Sequence, residues 1–166
     1  KGIEQDTGLF INQILEKYLD TTNIAVMSGP SFAVDLVTKM PAGLSLASKK
    51  IKTRTLAKQA LQNKYIKLRE TRDVIGVEIC GSIKNVIALS AGMLDGMNAN
   101  DSTKAMFLTE AMHDMEEILE SFGAMRRTVT SFSGIGDLFL TCTSTKSRNF
   151  SFGKLIGEKR SKEELD

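Results

Sequence analysis

The sequence predicts two parts meeting near residue 72: an α/β segment, then an all-helical domain. Three observations predict this division. Short apolar runs closed by turn residues alternate with helical patterns up to Thr71, the β-α-β-α-β order of a sheet with covering helices. Residues 74–97 form an apolar stretch rich in Ile, Val, Ala and Gly, far longer than a strand. Beyond it the patterning is helical, and one short segment near Thr128 is the only remaining strand signal.

Each element has its own cause. Leu9, Ile11, Ile14, Leu15, Tyr18 and Leu19 recur at helical spacing, with Asp6 and Thr7 as capping candidates. Ile24-Ala25-Val26-Met27 reads as a buried strand, ended by the turn Ser28-Gly29-Pro30. Pro30 suits the first turn of a helix running to about Thr38, where its missing N–H is not needed. Residues 42–48 read as a strand, 53–63 as a helix and 65–71 as a weaker, alternating strand. The helix over 74–97 carries Glu78, Lys84, Asn85 and Asp95, residues a fully buried helix avoids. Residues 103–122 are amphipathic, with Ala105, Met106, Leu108, Met112, Met115, Ile118 and Leu119 on the apolar face. No internal repeat or low-complexity segment interrupts the chain.

Composition narrows the function classes. The chain is 42% hydrophobic and 25% charged, values of a folded globular protein. A net charge of +2 gives no reason to invoke nucleic acid. The basic residues stand among acids, as in Lys159-Arg160-Ser161-Lys162-Glu163-Glu164, and read as solvated helix ends. No apolar run is read as reaching the roughly 18–20 residues of a membrane span. Lys1-Gly2-Ile3-Glu4 has no signal-peptide anatomy, so cytoplasm is the default compartment. The missing initiator Met predicts a chain that begins partway through a longer protein. Cys80 and Cys142 match neither a metal spacing nor a disulfide framework and read as small buried hydrophobes. The single histidine, His113, reads as a solvent-edge helix residue.

Four places combine glycines or polar groups with apolar sequence. Gly29-Pro30-Ser31-Phe32-Ala33 leads from a strand into a helix, where N–H groups and a hydroxyl suit an anion; an ordinary turn has the same pattern. Lys84 sits in an apolar helix, which is costly unless it is paired, functional or snorkelling. Burial lowers a lysine's pKa and makes it usable as a proton donor or base. Asp137, after Gly134-Ile135-Gly136, aims inward at a cation or serves as a helix cap. Ser147-Arg148-Asn149 places a guanidinium fork at a helix start, a phosphate-binding chemistry. No Gly-x-Gly-x-x-Gly follows a strand and no Walker motif occurs, so the pyrophosphate site of any dinucleotide lies outside this chain.

In this order the segments resemble the bacterial NAD(P)-dependent glycerol-3-phosphate dehydrogenases. The resemblance rests on Lys1-Gly2-Ile3-Glu4, on Ser28-Gly29-Pro30-Ser31-Phe32-Ala33, and on Gly76-Val77-Glu78 through Lys84-Asn85-Val86 to Ala91-Gly92-Met93-Leu94-Asp95-Gly96. It is completed by Gly134-Ile135-Gly136-Asp137-Leu138, Leu140-Thr141-Cys142-Thr143-Ser144 and Ser147-Arg148-Asn149. It implies that residues 1–72 are the C-terminal part of a Rossmann-like NAD(P)-binding domain. Residues 73–166 would be a truncated, all-α substrate domain of the 6-phosphogluconate dehydrogenase-like type. Most of the nucleotide-binding domain and the C-terminal end would then be absent, and the chain alone inactive.

The resemblance also implies roles. Lys84 would be the acid/base for interconverting sn-glycerol 3-phosphate and dihydroxyacetone phosphate, with NAD or NADP carrying hydride. Lys1 would be the second active-site lysine, touching substrate and cofactor. Asp137 would orient Lys84 and contact substrate, with Thr141 supporting both. Gly29, Ser31, Ser147, Arg148 and Asn149 would hold the substrate, and Ala33 and Arg148 would approach the cofactor. A cytoplasmic location, a supply role in glycerophospholipid synthesis and a homodimer complete the implication. One departure is local: Thr109-Glu110-Ala111 stands where the family commonly has Thr-Arg-Gly. Two other readings stay open, a related hydroxyacid dehydrogenase of the same helical superfamily and a non-catalytic helical assembly module.

Overall fold

The computed structural model describes residues 2–159. Its elements run α1 (Ile11–Leu19), β1 (Val26–Ser28), α2 (Ala33–Val37), β2 (Ala42–Ala47), α3 (Ile51–Leu61), β3 (Ile66–Thr71), α4 (Val74–Gly96) and α5 (Asp101–Ser121). A 3-10 turn (Arg126–Thr130) and an irregular turn (Phe132–Gly136) lead into α6 (Asp137–Cys142) and α7 (Arg148–Gly157).

The sheet has the order β1-β2-β3. β1 runs antiparallel to β2, with Met27 opposite Leu46, and β2 runs parallel to β3, with Leu44 opposite Leu68. Strand alternation sorts β2 into two buried faces. Leu44 and Leu46 join Leu68 and Ala57 of α3. Ala47 faces the other way, onto Val74 and Val77 of α4.

The helix α4 is the axis of the second core. Ile79, Cys80, Ile87, Ala88 and Ala91 pack with Met115 and Leu119 of α5, Leu138 of α6 and Phe150 of α7. At 23 residues, with a mean hydropathy of 1.5 over its most apolar window, α4 is by length and composition apolar enough to cross a membrane, contrary to the expectation from sequence. Interior packing accounts for that apolarity, since 56% of its most apolar window is buried within the protein. Against α7 the packing is backbone to backbone. A Cβ on Gly92 or Gly96 would collide with the carbonyls of Phe150 and Lys154, and one on Gly153 or Gly157 with those of Leu89 and Met93.

Asp73 links the two parts. Its Oδ1 accepts from the N–H of Gly76 at 3.1 Å, capping α4. Its Oδ2 accepts from the N–H of Met125 at 3.0 Å and the hydroxyl of Thr128 at 2.5 Å. Those bonds explain one correction: around Thr128 the chain forms a 3-10 turn, not a strand, because it curls to reach a helix cap. A second correction concerns α1. Neither Asp6 nor Thr7 caps it. The side chain of Gln13 accepts from Phe10 N–H at 2.8 Å, and Glu78 of α4 accepts from Asn12 N–H at 2.9 Å.

Candidate functional site

Lys84 is presented by α4 toward α6. Its ammonium donates to Asp137 Oδ1 at 2.5 Å and to Thr141 Oγ1 at 3.2 Å. Asp137 opens α6, and Thr141 stands one turn later on the same face, so a single helix supplies both partners. The Thr141 hydroxyl donates to the Asp137 carbonyl at 2.5 Å, which fixes its rotamer and leaves its lone pairs toward Lys84. The side chains of Lys84 and Asp137 are only 11% and 3% exposed. An ion pair this sheltered is held by geometry and hydrogen bonds, because each charge alone would be costly to bury.

Two close approaches bring the β1–α2 turn to this pair. A Cβ on Gly136 would stand 3.3 Å from the Pro30 ring, so the turn rests on the entry to α6. A Cβ on Gly29 would lie 2.9 Å from the Gly43 carbonyl, so only a glycine lets the turn sit this close to β2. The result is a pocket of about 240 Å³. Lys84, Asp137 and Thr141 form one side, Ser31 and Phe32 another, and Ser147, Arg148 and Asn149 a third.

Ser147 caps α7, its hydroxyl accepting from Phe150 N–H at 3.3 Å, and is buried. Arg148 and Asn149 follow as the first two helical residues and are exposed at the pocket. The first N–H groups of α7, beside a guanidinium, suit a phosphate. Seven residues singled out from sequence therefore line one pocket: Ser31, Lys84, Asp137, Thr141, Ser147, Arg148 and Asn149. Gly29 and Ala33 do not line it; Gly29 is buried behind the turn and Ala33 is exposed on α2. Lys1 lies outside the described residues.

Four lining residues carry no role in the sequence reading: Phe32, Asn85, Leu140 and Lys146. Lys146 has the clearest signal, a second cation two positions before Arg148. Its ammonium lies 3.6 Å from Asp35 Oδ1 and 5.7 Å from the centroid of the Phe32 ring.

The cysteines are not poised as nucleophiles. Burial, with a smaller contribution from Asp73, pushes the Cys80 thiol up to about 12. Burial likewise pushes Cys142 up to about 12, against the lowering effect of Lys84. Thiols held that high are protonated at neutral pH. Among the described residues no group of three or more His, Cys, Asp or Glu is placed to hold a metal ion. His113 is exposed on α5, away from the pocket.

Comparison with known proteins gives a single family. The model of the NAD-dependent glycerol-3-phosphate dehydrogenase C-terminus matches residues 73–166, and that of the N-terminus matches residues 1–54. The glycerol-3-phosphate dehydrogenase [NAD(P)+] of Staphylococcus saprophyticus is 37% identical over 164 residues, covering 97% of this chain and 49% of that protein. That of Chlorobium phaeobacteroides is 38% identical over 168 residues, covering 99% of this chain and 50% of its own. The crystal structure of glycerol-3-phosphate dehydrogenase from Coxiella burnetii superposes with a TM-score of 0.93 at 33% identity, over 99% of this chain and 50% of that one. The chain thus spans about half the length of the curated relatives it matches.

Proposed function

Since the chain belongs to the NAD-dependent glycerol-3-phosphate dehydrogenase family, we propose that it is the substrate-handling part of an enzyme interconverting sn-glycerol 3-phosphate and dihydroxyacetone phosphate. The observation that carries this reading is the pocket itself, where a sheltered Lys84–Asp137–Thr141 constellation faces a phosphate-suited helix start. We take residues 1–72 as the end of the nucleotide-binding domain and residues 73–166 as the substrate domain.

NAD or NADP, when bound, supplies the hydride donor or acceptor. Arg148, exposed at the pocket mouth, and Ala33, a small exposed residue opening α2, are the described residues suited to its approach. The chain's own residues handle the proton and the phosphate. In the reducing direction the Lys84 ammonium gives a proton to the oxygen developing at C2, and in the oxidising direction the amine takes it back. Asp137 and Thr141 hold Nζ in place for that transfer, a pre-organisation that spares reorientation in the transition state. Arg148, Asn149, Ser147 and Ser31 bind the substrate, with Arg148 set for two hydrogen bonds to phosphate oxygens. Gly29 lets the turn carrying Ser31 sit close. Lys1 is assigned as the second active-site lysine by family resemblance alone. The cytoplasmic location, the homodimer and the supply of glycerophospholipid synthesis also rest on that resemblance.

The test is NAD(P)H oxidation by the intact protein that contains this chain. Dihydroxyacetone phosphate is the expected substrate, with an Arg148→Ala variant raising its KM. Preference for a carboxylate substrate without phosphate would replace this reading with that of a related hydroxyacid dehydrogenase.

A further inference from the structure

A phosphate monoester carries close to two negative charges at neutral pH, and the pocket's charges must answer both. Lys84 is already engaged, with Asp137 hydrogen-bonded to it at 2.5 Å. Arg148 supplies one positive charge at the start of α7. Among the described residues lining the pocket, the remaining cation is Lys146, on the loop between α6 and α7 two positions before Arg148.

We propose that Lys146 is a substrate-binding residue of this enzyme, a further cation that joins Arg148 in neutralising the phosphoryl group of dihydroxyacetone phosphate. The inference rests on the dehydrogenase reading above and adds a residue to it. The present partner of Lys146 holds it loosely. Asp35 is 3.6 Å away, and the two side chains are 61% and 40% exposed, so the pair is weak and screened by water. The ring of Phe32, which itself lines the pocket, lies 5.7 Å from the ammonium. An incoming dianion competes with Asp35 for a flexible four-carbon side chain already over the cavity, and offers twice the charge. Arg148 then grips the phosphate as a fixed fork and Lys146 as a mobile point charge. Because Asp35 belongs to α2 and Lys146 to the α6–α7 loop, this ion pair joins the two parts of the chain.

The experiment compares the intact protein with its Lys146→Ala, Lys146→Arg and Asp35→Asn variants in NAD(P)H-dependent reduction of dihydroxyacetone phosphate. Lys146→Ala should raise KM for dihydroxyacetone phosphate roughly ten-fold, the size of one lost charge-assisted contact, with kcat and KM for NAD(P)H held. Lys146→Arg should recover most of that loss, and Asp35→Asn should lower KM by releasing the lysine. A Lys146→Ala enzyme whose KM for dihydroxyacetone phosphate stays within two-fold overturns the inference and leaves the dehydrogenase reading intact. A rise in KM for NAD(P)H instead also overturns it. An unsubstituted protein that does not reduce dihydroxyacetone phosphate overturns both.

Discussion

Lys84 Nζ and Asp137 Oδ1 lie 2.5 Å apart although 53 residues separate them along the chain, and both side chains are nearly closed to water. Such a pair acts as a unit. Removing either member takes a close charge partner from the other in a sheltered place, and a mutant then reports the loss of the arrangement as well as of one group.

Lys84→Ala is expected to lower dihydroxyacetone phosphate reduction by the intact protein by about 10²–10⁴-fold, the usual cost of losing a positioned acid or base. Asp137→Asn should lower kcat as well, because the amide keeps the shape and withdraws the charge that holds Nζ. The double variant should be little worse than Lys84→Ala alone. Steady-state NAD(P)H oxidation checks all three. Near-normal turnover by Lys84→Ala would reject the proton-transfer role.

The α4–α7 seam makes a second prediction. A Cβ at Gly153 would run into the Leu89 carbonyl and come within 3.1 Å of the Met93 nitrogen, both backbone atoms of a packed helix. Neither side can rotate away, so the helices must separate. Gly153→Ala should cost about 1–3 kcal/mol, read as a lower urea midpoint at unchanged slope. Ser147, Arg148 and Asn149 are carried by the end of α7, so the same change should raise KM for dihydroxyacetone phosphate. A variant with the parent's midpoint would mean that α7 is not held by this contact.

These cases separate what local sequence can express from what it cannot. The apolar length of α4 and the hydroxyl of Ser147 before α7 are written within a few residues of the elements they define. The N-terminus of α1 is not, because one of its caps is Glu78, 66 residues onward. The stretch around Thr128 reads as a strand by residue type, yet its shape is fixed by Asp73, 55 residues earlier. The antiparallel pairing of β1 is equally silent locally, since direction is set by how the chain returns and not by the strand's own residues. The pocket shows the same division. Lys84 and Asp137 stand out as polar residues inside apolar helices, whereas Lys146 stands among polar loop residues, and only its place over the cavity distinguishes it.

Glu78 carries the last prediction, and its sign follows from its surroundings. Burial raises its carboxyl pKa above the ordinary value, outweighing the lowering by the Asn12 N–H bond; of the charged side chains among the described residues, Glu16 adds to the rise and Lys49 opposes it. Two buried oxygens, Glu78 Oε2 and Asn12 Oδ1, have no hydrogen-bond partner among the described residues, and a proton on the carboxyl removes the uncompensated charge from the first. A group whose folded pKa exceeds its unfolded pKa favours the fold fully below the unfolded value. That contribution is lost as pH rises through the folded value. Stability should therefore decline as pH climbs from about 4.5, where the unfolded carboxyl titrates. Glu78→Gln keeps an acceptor for Asn12 N–H and carries a permanent donor, so its stability should be flatter with pH above that point. Glu78→Ala leaves the Asn12 N–H without its partner and should cost about 1–3 kcal/mol at every pH. Urea unfolding of the intact protein and both variants between roughly pH 4.5 and 8 measures this. A Glu78→Gln curve parallel to the parent's would show that Glu78 is not the group responsible.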